Sequence, residues 1–279
     1  MKIARVRTPD GSDFAVMAGD GTWVTFASQG VDVTSTADVI ARAGDLEKVF
    51  GTLAGGIAEP EFLAPVVRPS KMLAIGLNYR DHIRETKQTE PSNPIVFAKF
   101  PSSLNDPYGD IVMDQRLTEA GDYESELAVV IGRKARGIEL SEALGCVFAY
   151  TVANDVSARE WQKRDGQLDR SKSFDTFCPI GPWLTTADEV SDPQALAVHS
   201  WVNGESRQDS STREMIFSVE HLIWYIARGM TLEPGDVILT GTPHGVGVAM
   251  DPPRFIVPGD LVECEVEGLG TLRNPVVAP

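Results

Sequence analysis

Two acidic residues one position apart, Glu124 and Glu126, open the stretch Asp122 to Gly132, DYESELAVVIG. Leu127, Val129, Val130 and Ile131 then read as a buried strand that closes on Gly132. Side chains at i and i+2 of a strand share a face, with Cα atoms roughly 6.5 Å apart, so both carboxylates reach into one volume. Such a pair repels unless a cation or a proton sits between the two groups. The plainer alternative is a solvated strand end. A third carboxylate, Asp155, follows the apolar run VFAYTVAN. Ahead of VSAREWQ it has the chemistry of a helix N-cap, a role that does not conflict with a second one.

His82 and Glu85 are three apart in NYRDHIRET, so on a short helix they meet on one face. A carboxylate that orients an imidazole is what a general base needs, although pairs at this spacing are also common on solvated helices. Lys172 stands at the centre of a long irregular stretch, DGQLDRSKSFDTFCPIGPW, of the kind that often carries function. Arg159 and Gln162 are spaced to share a helical face. Lys99, Ser102 and Ser103 could touch a ligand or lie on the surface. Thr242 and His244 sit in the glycine loop TGTPHGVG and could line a ligand. That loop is no phosphate cradle, because no Lys-Ser/Thr pair and no helix follow it. His199 and His221 read as structural or surface residues.

The elements that must position these groups follow from the pattern. Residues 1 to about 65 form a small β-rich module, with strands at KIARVR, DFAVMAG and TWVTF split by Asp-Gly and Gly-Asp turns and a helix from about Thr36 to Val49. Pro60, Pro65 and Pro69 punctuate a linker, which places a domain boundary near residue 66, with 66–279 as the main domain. Beyond it, KMLAIGL, IVFAKF and VFAYTVAN read as strands, VNGES as a hairpin turn, and SVEHLIWYIARGM as an amphipathic helix that ends at Gly229.

With 279 residues and 42% hydrophobic composition the chain can bury a sizeable core. Lys+Arg of 25 against Asp+Glu of 40 gives a net charge of -15, which argues against nucleic acid and anionic membrane surfaces. An anionic substrate would need local positive charge. Cys146, Cys178 and Cys264 are odd in number and without CxxC spacing, so they read as reduced thiols from which no zinc site follows. No apolar run approaches the roughly 20 residues of a membrane span, and a cytoplasmic setting is expected.

GLNYRDH, DYESELAVVIG, TVANDVSAREWQ, KSFDTFCPIGPW and LEPGDVILTGTPHGVG, in this order, resemble the fumarylacetoacetate hydrolase family over roughly residues 68 to 270. The resemblance implies an α+β, mostly β, fold of mixed β-roll or barrel-like form, and a homodimer. It also implies a divalent ion held by Glu124, Glu126 and Asp155. An all-oxygen shell suits Mg²⁺ or Mn²⁺, and Ca²⁺ could occupy it in a crystal. His82 and Glu85 fall on the catalytic pair of the acylpyruvase-like branch, on a helix that tends to order only with ligand. Lys172 falls on the family's active-site lysine, and Arg159, Gln162 and Thr242 fall on positions that contact the substrate's carboxylate end. Two departures stand out: Glu160 where many members have Asp, and His244 where a Lys or small residue is common.

The expected substrate is a 2-oxo or 2,4-dioxo acid that chelates the metal, so that electrons finish in an enolate. In the leading expectation His82 activates a water that attacks C4 of an acylpyruvate or fumarylpyruvate, and the C3–C4 bond breaks. Decarboxylation of oxaloacetate, keto-enol tautomerisation, and isomerisation of a 2-hydroxyhepta-2,4-diene-1,7-dioate type acid are the alternatives on the same residues. The motifs do not separate them.

Overall fold

The computed structural model describes residues 1–44 and 56–279. Near the N-terminus lie β1 (Lys2–Thr8), β2 (Gly11–Met17), β3 (Trp23–Thr25), α1 (Thr36–Ala41) and β4 (Phe62–Leu63). Of the helix expected to reach Val49, residues 45–49 lie outside the described residues. Next come β5 (Met72–Gly76), α2 (Arg80–Thr86), β6 (Ile95–Ala98), β7 (Leu104–Asn105) and β8 (Ile111–Val112). The middle of the chain supplies β9 (Gly121–Asp122), β10 (Ser125–Ile131), β11 (Val147–Asn154), β12 (Ser157–Ala158), α3 (Arg159–Asp165) and β13 (Cys178–Thr186). The last part gives β14 (Ala197–Val202), β15 (Glu205–Ser211), α4 (Val219–Gly229), β16 (Val237–Leu239), β17 (Leu261–Val266) and β18 (Gly270–Val277).

The larger sheet runs β3-β2-β1-β13-β11-β10-β16-β5-β6, with β4 on β1 and β7 on β13. The smaller runs β15-β14-β17-β18-β8 and packs against the face of the larger one through β10, β11 and β13. The fold is thus mostly sheet, as expected. Neither sheet closes into a barrel, because β3 and β6 at the two ends of the larger sheet do not pair with each other. The N-terminal strands extend this same sheet through the antiparallel pairing of β1 with β13, Lys2 opposite Thr185 and Ala4 opposite Trp183.

Strand β10 is buried along its whole length. Leu127, Val129 and Ile131 face the core between the two sheets, and Ala128 and Val130 face a second core shared with Phe14, Val16 and Phe26. Burial on both faces explains an unbroken apolar run where a half-exposed strand would alternate. Helix α4 buries Leu222, Ile223 and Ile226 on one side, the 3.6-residue period its sequence carries. The β14–β15 hairpin turns through Asn203 and Gly204 with φ of 53° and 76°, both left-handed, as a two-residue turn of this kind requires.

Candidate active site

Four strands end together at one edge of the larger sheet. Strand β10 runs antiparallel to β11 and to β16, and β16 runs parallel to β5. The start of β10 therefore lies beside the ends of the other three. Glu124 and Glu126 flank the first residue of β10, and Asp155 follows the last residue of β11. Ser125 pairs with Asn154, which lays the acidic pair alongside Asp155. The Asp155 N–H donates to Glu124 O at 2.9 Å, and the Glu124 N–H donates to Asn154 Oδ1 at 3.0 Å. All three carboxylates are buried, and one oxygen from each lies within 4.8 Å of the others.

Three cations surround them. Lys172 Nζ donates to Glu124 Oε2 at 2.7 Å, Asp155 Oδ2 at 2.8 Å and Ser157 Oγ at 2.8 Å. Lys99 Nζ donates to Asp155 Oδ1 at 2.7 Å and also to the Lys172 carbonyl. Arg159 Nη2 stands 2.7 Å from Glu124 Oε1 and 2.8 Å from Asp122 Oδ2. Among the described residues Glu126 has no ion-pair partner; its Oε2 accepts only the Gly241 N–H, at 2.7 Å.

The electrostatics follow from this uneven sharing. Burial would push the Glu124 carboxyl up, but Lys172 and Arg159 outweigh it and hold it down to about 2. Glu126 is driven well above the usual carboxylate range, by burial first and then by the charges of Asp155 and Glu124. Burial also opposes the Lys172 charge, yet Asp155 and Glu124 raise its pKa above the ordinary lysine value. The residues fit a divalent cation: three buried oxygen donors converge, and one of them lacks the cation its neighbours have.

The glycine loop after β16 reaches both halves of the site. Gly241 has φ 98° and a Cβ there would stand 2.8 Å from Asn78 Cβ, so only glycine brings this N–H to Glu126. Gly245, at φ 99°, donates its N–H to Glu85 Oε2 at 2.9 Å, and a Cβ on it would fall 2.0 Å from Arg207 O. Glu85 Oε1 in turn meets His82 Nδ1 at 2.7 Å. An ionised carboxylate only accepts, so Nδ1 carries the hydrogen and Nε2 is left as the basic atom. Helix α2, which bears this pair, is formed and further tied down by Arg80 Nη1 to Met215 O at 2.9 Å.

A cavity of about 140 Å³ opens above the carboxylates, with His82, Glu124, Arg159, Gln162, Lys172 and Thr242 as its polar lining. Glu126 and Asp155 lie deeper, beneath that lining. Gln162 Nε2 is buried without a hydrogen-bond partner, and Gln162 Oε1 accepts from Arg159 Nη1 at 3.3 Å. Thr242 lines the cavity with its hydroxyl already engaged: it donates to Ser125 O at 3.1 Å and accepts from Gln208 Nε2 at 2.8 Å.

Of the residues singled out in the sequence, the structure brings these nine into one neighbourhood: His82, Glu85, Glu124, Glu126, Asp155, Arg159, Gln162, Lys172 and Thr242. Asp155 is not the cap of the following helix. Helix α3 starts at Arg159, its cap position is Ala158, which has no side-chain acceptor, and Asp155 stands upstream of β12 with both oxygens taken by lysines. Lys99 is 1% exposed and belongs to the site, not the surface. Asp122 was not singled out. Fully buried, it accepts the Gly247 N–H at 2.8 Å, the Val248 N–H at 3.0 Å and Arg159 Nε at 2.9 Å. It thereby fixes the glycine loop and the guanidinium together; its only sequence signal was an acid ahead of two others. His244 is half-exposed at the rim, its Nε2 3.1 Å from Asp209 O.

Such a layout, convergent acids and an oriented imidazole at the open edge of a mixed sheet, is that of an enzyme family acting on small acids. The chain belongs to the fumarylacetoacetate hydrolase family: the sequence model "Fumarylacetoacetate (FAA) hydrolase C-terminal" matches residues 71–277. The chain is 46% identical over 258 residues to a Bos taurus protein named "Oxaloacetate tautomerase FAHD2A, mitochondrial", covering 92% of this chain and 80% of that one. The fumarylacetoacetate hydrolase of psychrophilic Exiguobacterium antarcticum shares its fold with TM-score 0.89 and 38% identity, over 100% of both chains. The 2-hydroxyhepta-2,4-diene-1,7-dioate isomerase of Mycobacterium marinum does so with TM-score 0.77 and 34% identity, over 100% of this chain and 98% of that one.

Proposed function

We propose that the protein is a divalent-metal-dependent tautomerase of a small 2-oxo diacid of the oxaloacetate class. The observation that carries this reading is that His82, oriented by Glu85, and Glu124 line one small cavity, with Glu126 and Asp155 gathered about Glu124 behind that lining. The oxaloacetate tautomerase named above, similar over most of the chain, supports the choice of reaction.

Glu124, Glu126 and Asp155 would hold the ion, Mg²⁺ or Mn²⁺ by their all-oxygen donor set. When bound, it supplies a Lewis acid that favours negative charge on a substrate oxygen. His82 Nε2 takes the proton from C3 of the keto acid, and Glu85, pinned by the Gly245 N–H, keeps Nδ1 protonated while this happens. Return of that proton to the 2-oxygen completes the enol, and the reverse order gives the keto form. Lys172 lines the cavity as a buried cation paired with Glu124 and Asp155, and its positive charge favours negative charge growing on a substrate oxygen. Gln162 Nε2, buried and unpartnered, offers a donor to a substrate carboxylate beside the Arg159 guanidinium.

The same oriented imidazole could instead activate a water on C4 of a 2,4-dioxo acid, the hydrolytic reaction expected from the sequence, and the likeness to the Exiguobacterium hydrolase supports that second reading. One assay separates the outcomes. With Mg²⁺, enol absorbance of oxaloacetate should decay faster with protein than without, and no pyruvate should form. Unaccelerated decay would sink the proposal, pyruvate release would mean decarboxylation, and cleavage of an acylpyruvate in its place would mean hydrolysis. A homodimer in a cytoplasmic setting completes the reading.

A further inference from the structure

Besides its polar lining the cavity has an apolar wall made of Ile75, Gly76, Leu77, Phe97 and Leu168. Leu168 starts the turn that ends at Lys172. Its carbonyl accepts the Lys172 N–H at 3.2 Å and Ser171 Oγ–H at 2.7 Å, so one tight turn sets both the lysine and the wall. The turn has two further anchors. Asp169 Oδ1 accepts the Ala98 N–H of β6 at 2.7 Å, and the Arg170 guanidinium lies 4.2 Å from the Trp161 ring centroid on α3. Leu168 Cδ1 reaches over Gly76, 3.7 Å from where a Cβ there would stand. Leu168 therefore borders the cavity beside a residue with no side chain, on a backbone held at several points.

We propose that Leu168 is the specificity-determining residue that limits the chain length of the acid this cavity accepts. The proposal rests on the reading of the cavity as the substrate site and adds to it which end of the acid is gauged, and by what. A cavity of about 150 Å³ takes up a benzene-sized molecule, so one of about 140 Å³ is filled by an acid of a few carbons, and a longer tail must crowd Leu168 or turn out through the mouth. Pocket fit of one methylene commonly discriminates about 10- to 200-fold. Removing most of the Leu168 side chain should open space over Gly76 and leave the lysine and its turn in place, because the turn is held by backbone atoms and by Asp169 and Arg170.

The test is binding by length, read without turnover. In the Mg²⁺-loaded full chain, calorimetry gives Kd for 2-oxobutanoate and 2-oxooctanoate, two monoacids that differ only in tail. The native protein should prefer the shorter acid by about 10-fold or more, and Leu168→Ala should shrink that preference by about 10-fold through tighter binding of the longer acid alone. Leu168→Val, a smaller truncation, should move the ratio the same way by less, and it serves if Leu168→Ala does not fold. An unchanged ratio in the variants, or a native protein that takes both acids equally, overturns the proposal. Because turnover plays no part, a protein that discriminates by length yet fails to tautomerise oxaloacetate would refute the proposed function and support this inference.

Discussion

At Glu126 two requirements collide. Its carboxyl is buried beside two ionised carboxylates, which favours the proton, yet a divalent cation needs the ionised form. Cation binding should therefore release a proton. The expected outcome is a Mg²⁺ affinity that falls as pH is lowered, with close to one proton released per ion when calorimetry is run in buffers of different ionisation enthalpy. An affinity flat with pH would show that Glu126 is not the group displaced. Glu124 has the opposite sign. Held down to about 2 by Lys172 and Arg159 despite burial, it contributes stability that is complete above the unfolded carboxylate pKa and lost as pH falls through about 2. At His82 the effect is kinetic. His82→Ala should lower the catalysed rate by about 10²- to 10⁴-fold, the span for losing a general base, with Mg²⁺ affinity kept, since the imidazole pairs with Glu85 and not with the carboxylate trio. Undiminished turnover in that variant would remove the assigned role.

At the scale of elements, the loop that leaves β16 joins the two halves of the site. Its Gly241 N–H serves Glu126 and its Gly245 N–H serves Glu85, so a distortion there disturbs metal ligand and dyad at once. In Gly245→Ala the new methyl would collide with Arg207 O, in a left-handed backbone that L side chains rarely adopt. We expect a stability loss of about 1–3 kcal/mol and a rate loss well beyond it at temperatures where the variant is folded. Thermal unfolding alongside the tautomerase assay checks both, and a variant with native melting and native rate would show that the loop tolerates the change. Helix α2 is short, and side-chain bonds to Met215 O, Glu214 and the loop hold it in place.

For the whole molecule, the N-terminal strands continue the sheet that carries the site, and Phe14, Val16 and Phe26 share a core with Ala128, Val130 and Ala153. Deleting residues 1–65 would bare the edge of β13 and that core face. Exposed edges of this kind recruit other chains, so the truncated protein should aggregate or unfold without cooperativity in sedimentation and melting experiments. A monodisperse 66–279 fragment with native melting would instead establish the expected boundary as one between independent units.

The sequence by itself determined the chemistry at each position and the periodicity of each element. The acidic pair at i and i+2, the His-Glu spacing and the Arg159–Gln162 spacing are local, and local geometry translates directly into shared faces. The strands of the core were legible because apolar runs bounded by glycine and proline have few alternatives. Only the tertiary structure decided which cation serves which acid. Lys99 and Asp155 are 56 residues apart, and Lys172 and Glu124 are 48 apart; nothing in either neighbourhood marks the partner. It also removed the cap role from Asp155, which the resemblance had already marked as a metal ligand, and it gave Asp122 its part in fixing Arg159 and the glycine loop. The reason is physical: strand order and register bring four strand ends together, and pairings across a sheet depend on the packing of the whole chain, which no short window of residues contains.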